Sequence, residues 1–528
     1  MRPRAHVASP SGHASAFCAL ERIALALPLD AYRAAFPLGQ GGFVLDACTS
    51  AGDDLSLLGA EPFLAFRAFR SDHRLASGAL GARVEIQQRG ATVRAEVEDA
   101  FDVMRALLRE YATSPAIFPS DRPLPLLAGA VGYIGYETGQ MLERLPCVAR
   151  PGIGMPDIAL FFHDWVLGRS HRTGETWLSV VGRAQTASEA RAEADATRDR
   201  LHRILTAFER DHAARVSRAA SRTIPIPVPV LLTSHTPRAS YLADILTAKR
   251  HIEDGNAFEI CLTHRLDAPF TGDPFALWQE LRLLSAAPFA TFLDLPEGAV
   301  VSSSPERFLS LDTARVAESR PIKGTRPRGA TPEEDARLAA DLATSTKDRA
   351  ENAMIVDLVR NDLGRVCRFG SVVAPQLFAI ERYATVHQLV STVRGELDDG
   401  RDVVDLVRAC FPPGSMTGAP KIEAMSILEG LEPTERGVYS GALGWLDFSG
   451  PIDLSVVIRT IVVKNGVAHL HVGGAIVSDS APEAEHDETM HKARALISAL
   501  AAFADPAEAG EAAEARAPRR GDAIGHVP

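Results

Sequence analysis

The sequence predicts an α+β fold in which antiparallel strands dominate and helices lie between them. Three observations predict it. Segments 83–88 and 91–97 alternate apolar and polar residues and turn at Gly90, as a hairpin does. Three strand-like segments follow one another from 437 to 472, with turns at Ser449-Gly450-Pro451 and Asn465-Gly466, and read as an antiparallel meander. Between the strand-like runs lie stretches with apolar residues at helical spacing.

Taken in order, residues 1–16 carry no apolar pattern and are expected to be flexible. Residues 17–222 form an N-terminal region whose 17–183 part is strand-rich, with short apolar runs at 43–48 and 63–69 and a Gly-rich apolar segment at 129–136. Its last part, 184–220, is rich in Ala, Arg and Glu at helical spacing and reads as a solvated helix. Alternate prolines in Ile224-Pro-Ile-Pro-Val-Pro-Val230 forbid a helix, so 223–235 is read as an extended linker. Residues 236–503 form the second region. Helices are expected at 237–254, 273–285 and across most of 331–364. Strands are expected at 258–267 and 300–311, then in the meander at 437–449, 453–464 and 467–472. Residues 504–528 are expected to be a disordered tail.

Composition narrows the function classes. With 528 residues, 46% of them apolar and 23% charged, the chain is neither disordered nor fibrous. Six cysteines without C-x-x-C spacing imply free thiols in a reducing compartment, so a cytoplasmic enzyme is expected. Cys261 and Cys410 sit among apolar residues and read as packing groups. A net charge of -11 argues against nucleic acid or an anionic membrane as partner, though not against an anionic substrate. No apolar run reaches membrane-spanning length, and residues 1–16 lack the apolar core of a signal peptide.

Five constellations can carry chemistry. Asp348 and Glu351 share a helix face at i, i+3, and Glu485, Glu488 and Lys492 share another at i, i+3, i+7. Two helices offering carboxylates suit a hard cation; i, i+4 surface pairing of Lys347 with Glu351 and of Glu488 with Lys492 explains the same spacing. Gly414-Ser-Met-Thr417 precedes a helix expected from 419 and offers backbone N–H groups to an anion, with Thr417 either contacting it or capping the helix. Gly473-Gly474 at a strand end admits close backbone approach or marks a bulge. Lys323, between Ile322 and Gly324 on a proline-flanked loop, reads as a desolvated nucleophile or a solvated loop residue. Glu306, fixed by Pro305, is a general-acid candidate or the partner of Arg307. His469 and His471 share a strand face without further ligands and read as structural.

The order of these motifs resembles the chorismate-utilising enzymes. Ser304-Pro-Glu-Arg307, Pro321-Ile-Lys-Gly-Thr325, Asp348-Arg-Ala-Glu-Asn352 and Gly414-Ser-Met-Thr-Gly-Ala-Pro-Lys421 come first. Tyr439-Ser-Gly-Ala-Leu-Gly444, Ile458-Arg-Thr460, Gly473-Gly-Ala-Ile476 and Glu485-His-Asp-Glu-Thr489 follow. The resemblance runs from about 236 to 503 and is weaker before that. It implies two large antiparallel sheets packed as a sandwich with flanking helices, and a substrate cleft on the second half.

Within the family, the chain most resembles the branch that aminates C4 of chorismate, giving 4-amino-4-deoxychorismate for 4-aminobenzoate and folate. Lys323 carries that distinction, because the anthranilate-forming branch has Ala there. By resemblance, Lys323 attacks C2 and Glu306 protonates the departing C4 hydroxyl. Gly324, Thr325, Thr417, Tyr439, Arg459, Gly473, Gly474 and Lys492 match substrate-contacting positions. Glu351, Glu488 and Glu485 match ligands of Mg2+. The family's water-adding members have Lys where Glu259 stands here, so water addition is not expected. No G-x-C-x-G elbow surrounds any Cys, so ammonia is expected from a separate glutamine amidotransferase subunit. Ala47 in Val44-Leu-Asp-Ala47 replaces a Ser of the family's tryptophan pocket, of which 288–290 would form the other wall, so tryptophan binding does not carry over. Two alternatives remain: an anthranilate synthase large subunit, and a silent chorismate-binding subunit.

Overall fold

The computed structural model describes residues 15–47, 55–88, 91–118, 122–148, 150–216, 230–383 and 386–504, with the side chains of 213–216 excepted. Residues 1–14 of the expected flexible start, 223–229 of the proline-rich linker and 505–528 of the tail fall outside these residues, whereas Ser15 and Ala16 begin strand Ser15–Ile23 rather than extending the flexible start.

Two twelve-stranded antiparallel sheets form the body. The first runs, in spatial order, through Ser15–Ile23, Thr176–Ala184, Trp165–Ser170, Leu55–Gly59, Phe43–Asp46, Phe289–Leu295, Gly298–Ser304, Thr460–Lys464, Val467–Ile476, Glu259–Pro269 and Thr233–Ser234, with Gly418–Ala419 beside Glu259–Pro269. The second runs through Ile322–Pro327, Val386–Glu396, Val316–Arg320, Arg307–Leu311, Ile452–Val456, Ala442–Asp447, Gly129–Ile134, Ile158–His163, Leu64–Arg74, Leu80–Gln88 and Ala91–Val97, with Val373–Arg382 beside Val386–Glu396. Strands from before and after the linker mix in both sheets. The boundary at 223–235 divides the sequence but not the layers.

The largest core lies between the sheets, where Phe43, Leu57, Leu293 and Val300 of the first meet Phe66, Val131, Leu160 and Leu309 of the second. Helices Ala187–Val216, Pro274–Leu284 and Pro482–Ala501 cover the outer face of the first sheet, burying Leu201, Leu205, Trp278 and Leu496. Each fully buried side chain of this size is worth about 1.5–3 kcal/mol. Helix Thr346–Gly364 packs Ile355 and Leu363 near Val393 of the second sheet and Leu397 just beyond that strand.

The expected meander is corrected. Segment 453–464 is two strands, Ile452–Val456 in the second sheet and Thr460–Lys464 in the first. Each pairs with its sequence neighbour, so both turns hold, but the hairpins belong to different sheets. The expected strand at 300–311 divides in the same way, into Gly298–Ser304 and Arg307–Leu311. The two divided segments run side by side, so one antiparallel pair leaves one sheet and enters the other. Alternation along a strand is blind to such a bend, because both halves keep the same inward face. Helix Ala100–Glu110, capped by Asp99, was hidden within a region read as strands.

A buried ion pair holds the sheets' meeting point. Glu432 accepts hydrogen bonds from the backbone N and the hydroxyl of Thr263 and pairs with Arg436 at 2.6 Å. Arg436 also donates to the carbonyls of Cys261 and Met416 and to the Ser440 hydroxyl. Removing one partner of such a pair strands a buried charge. Glu432→Gln is therefore expected to cost about 3–5 kcal/mol of stability in chemical denaturation. An unshifted midpoint would show that Arg436 does not depend on this carboxylate.

Candidate active site

The site forms where the two bent strands cross. Pro305-Glu306 bridges one strand from sheet to sheet and 457–459 bridges the other. Val456 N donates to the Glu306 carbonyl at 2.9 Å, and Ser303 N donates to the Arg459 carbonyl at 3.1 Å. Arg459 takes a left-handed φ of 50° at the bend, which turns its side chain out of the ladder. Its guanidinium makes no hydrogen bond or ion pair among the described residues. Burial pulls it below its usual range, opposed by the Glu306 carboxylate. An unpaired, half-buried cation is suited to receive an anion. Glu306 is 6% exposed. Burial pushes its carboxyl up to about 7, against a hydrogen bond from Ser415 and the charges of Lys323 and Arg459.

Lys323 lies on strand Ile322–Pro327, where the register with Val386–Glu396 slips between Ile322 and Thr325. Such a bulge re-aims a side chain. Gly324 makes it possible: its φ is 84°, and a Cβ there would sit 2.7 Å from the Asp348 carboxyl carbon. Two contacts fix the approach, Asn352 Nδ2 and Ser391 N both donating to the Pro321 carbonyl. Lys323 Nζ points at Glu259 Oε1, 2.6 Å away, and this is its one ion pair among the described residues. Burial alone would lower the amine's pKa, but Glu259 and Glu351 hold it well above its usual range. The resting side chain is an ammonium, not the neutral amine that desolvation by itself suggests.

The carboxylates of helices Thr346–Gly364 and Pro482–Ala501 face each other across the site. Lys347 Nζ lies 3.8 Å from Glu351 Oε1 and 3.8 Å from Glu485 Oε1, so both carboxylates converge on one cation. Glu488 pairs with Lys492 at 2.8 Å. Both i, i+4 pairings anticipated from the sequence are therefore present within the cleft. Burial pushes Glu351 up, with Lys323 opposing. No group of three or more His, Cys, Asp or Glu is gathered closely enough to hold a metal among the described residues. An oxygen-only pair that already shares a cation does fit Mg2+, which takes one or two carboxylates and fills its shell with water or substrate oxygens.

Gly473 and Gly474 lie near the end of strand Val467–Ile476, paired with Thr263 and Leu262, opposite these groups. Lys492 Nζ donates to the Gly473 carbonyl at 3.0 Å. A Cβ on Gly474 would lie 3.4 Å from Glu485 Oε2 and 4.0 Å from Lys492 Nζ, so this glycine keeps open the space between them. Tyr439 is buried and stacks on His471 with ring centroids 5.2 Å apart. Thr325 is exposed at the rim. Thr417 is fully buried; its hydroxyl donates to the Gly414 carbonyl and its own carbonyl accepts from Cys261 N, so it closes the loop. The following helix starts at Lys421 without a side-chain cap, and Lys421 pairs with Asp362.

Four residues at the site escaped the sequence reading. Glu259 had been weighed only as an absent lysine, and Lys347 only as a surface partner. Ser415 and Asn352 lay inside quoted motifs, without a spacing that would single them out.

A cavity of about 1050 Å³ lies between the sheets, and Pro305, Arg307 and Ile322, which flank Glu306 and Lys323, line part of it. Asp46, Ala47 and residues 288–290 line it together, because Phe43–Asp46 and Phe289–Leu295 are paired strands. Asp46 is held there by Arg282 at 2.6 Å.

Comparison with known proteins agrees with this geometry. The model of the chorismate binding enzyme family matches residues 71–498. The chain is 44% identical over 387 residues to an aminodeoxychorismate synthase of Streptomyces pristinaespiralis, a match covering 72% of this chain and 51% of that protein. It is 37% identical to aminodeoxychorismate synthase component 1 of Salmonella typhimurium, covering 78% of this chain and 84% of that one. The solved anthranilate synthase component I of Streptococcus pneumoniae superposes with a TM-score of 0.66 at 27% identity, covering 85% of this chain and 93% of that one. The chain thus spans about half the length of its Streptomyces relative and most of the other two. With the family match crossing both sheets and every motif of the cleft, the chain belongs to the chorismate binding enzymes.

Proposed function

We propose that this protein aminates chorismate at C4, giving 4-amino-4-deoxychorismate, the precursor of 4-aminobenzoate. The observation that carries this reading is Lys323, aimed by a bulge into a buried cleft beside a carboxyl of pKa about 7. Lys323, as the free amine, bonds to C2 of the substrate. The ring double bond shifts and the C4–O bond breaks. Glu306 gives its proton to the departing hydroxyl, which leaves as water. Ammonia then bonds to C4, the double bond shifts back, and the C2–Nζ bond breaks to release Lys323. Arg459 and Lys492 hold the substrate carboxylates, and Gly324, Thr325, Thr417, Tyr439, Gly473 and Gly474 shape the pocket. Glu351, Glu485 and Glu488 would hold Mg2+, which when bound supplies positive charge to a substrate carboxylate.

Ammonia comes from a separate glutamine amidotransferase; the Salmonella relative's designation as a component supports a partner subunit. The product serves 4-aminobenzoate and folate synthesis. No helix among the described residues is long and apolar enough to cross a membrane. The likeness to a solved anthranilate synthase keeps C2 amination as the second reading.

A product assay decides between the two. Chorismate, Mg2+ and an ammonium salt should yield 4-aminobenzoate only when an aminodeoxychorismate lyase is added. Fluorescent 2-aminobenzoate formed without the lyase would instead support the anthranilate reading. Lys323→Ala should abolish C4 amination; retained turnover would remove Lys323 from the chemistry. Glu306 must be protonated to act, so at fixed free ammonia kcat/KM for chorismate should fall as pH rises through about 7. Glu306→Gln should lower the rate by about 10²–10⁴-fold and erase that limb. A limb that persists in the variant would belong to another group.

A further inference from the structure

Lys323 poses a problem that its role as nucleophile does not solve. An ammonium has no lone pair, and this one is buried and held charged by carboxylates. Its proton must leave before the C2–N bond can form. Bulk water is a poor destination, since the side chain is only 10% exposed.

We infer that Glu259 is the proton acceptor for Lys323, taking the ammonium proton directly across their hydrogen bond and returning it when the lysine is released. Three features of the pair support this. Glu259 Oε1 already accepts from Lys323 Nζ at 2.6 Å, so the transfer needs no movement of heavy atoms. Glu259 is fully buried, and its second oxygen, Oε2, has no hydrogen-bond partner among the described residues. Lys323 is therefore the one side chain that donates to this carboxylate among the described residues, and the one from which it can take a proton across a hydrogen bond. Its backbone is fixed as well, by pairing of Glu259 with Ala419 and by Phe258 N donating to the Ala419 carbonyl at 2.7 Å.

The other groups facing this ammonium come from different elements and stand farther off. Glu351 approaches from helix Thr346–Gly364, Glu488 from helix Pro482–Ala501, Glu306 from the strand crossing, and Cys261 from Glu259's own strand. None of them forms an ion pair with Lys323. Glu306 is already committed to the departing hydroxyl.

The protons balance. In the first half-reaction the Lys323 ammonium gives one proton to Glu259, and the free amine bonds to C2, becoming a secondary ammonium. The C4 hydroxyl leaves as water with the proton of Glu306. In the second half-reaction ammonia bonds to C4 as an ammonium substituent, and the C2–N bond pair returns to nitrogen, releasing a neutral amine. Glu259 hands its proton back to that amine, and Glu306 is reprotonated from the product ammonium or from solvent. For the lifetime of the covalent adduct, Glu259 stores one proton.

This inference rests on the C4-amination reading and predicts a pH signature of its own. The ion pair and the neutral pair differ by an internal transfer, so their ratio does not depend on pH. Without the carboxylate, the lysine proton must go to solvent and the reactive fraction rises with pH. The test compares wild type, Glu259→Gln and Glu259→Asp in chorismate consumption at fixed free ammonia. The ratio of wild-type to Glu259→Gln rates should shrink about tenfold for each pH unit between about pH 6 and 8, while Glu259→Asp restores a constant ratio. Intact-mass detection of a substrate adduct on Lys323 without ammonia should show the same dependence, and thermal melts of the variants check that they fold. A pH-independent ratio for a folded Glu259→Gln would overturn the role of Glu259. Wild-type protein that forms neither the adduct nor the C4-aminated product would instead sink the function reading on which it rests.

Discussion

Arg436 is buried at the meeting point of the two sheets, and its charge is tolerable there only because Glu432 neutralises it. The pair also fixes geometry. Through Glu432 it holds Thr263 on the strand that carries Glu259, and through Arg436 it holds the carbonyls of Cys261 and Met416. Glu137 adds a further constraint by accepting from the backbone N of Arg436 and of Gly437. The Glu259 strand, the loop of Ser415 and Thr417, and the turn before Tyr439 are thus tied to one planar guanidinium. A lysine would offer charge but not five donors in a fixed fork.

Three groups of the candidate site share a second property: Lys323, Glu306 and Arg459 sit where a regular ladder fails. Lys323 is on a bulge, and Glu306 and Arg459 are on strand crossings. Regular strands point side chains either into the core or away from it. Irregularities supply a third direction. Strong pairing on both sides, such as Gly298–Ser304 with Thr460–Lys464 and Arg307–Leu311 with Ile452–Val456, keeps those defects in place.

This explains what was legible in the sequence. Turns with Asn-Gly or Gly-Pro, amphipathic helices and the ordered motifs could be read directly, and they located most of the cleft. The bend between the sheets could not, because residues 452–464 show one unbroken strand-like pattern while Arg459 turns the chain with a backbone angle that composition does not announce. The carboxylate spacing was truly ambiguous. The i, i+4 pairs that favoured a bland surface reading do form, and they form inside the site. Pair chemistry such as Lys323 with Glu259 spans 64 positions and no local pattern encodes it.

The mixing of strands in both sheets bears on how the chain comes off the ribosome. Phe43–Asp46 pairs on one side with Leu55–Gly59, but on the other with Phe289–Leu295, made more than two hundred residues later. Gly129–Ile134 likewise awaits Ala442–Asp447. Until then the nascent N-terminal region exposes unpaired strand edges and the apolar face of an unfinished core, the conditions under which chains aggregate or engage chaperones. Synthesis of the second region closes both sheets nearly at the end. The candidate site, which needs strand Val467–Ile476 and helix Pro482–Ala501 to complete it, is therefore among the final parts of the molecule to form.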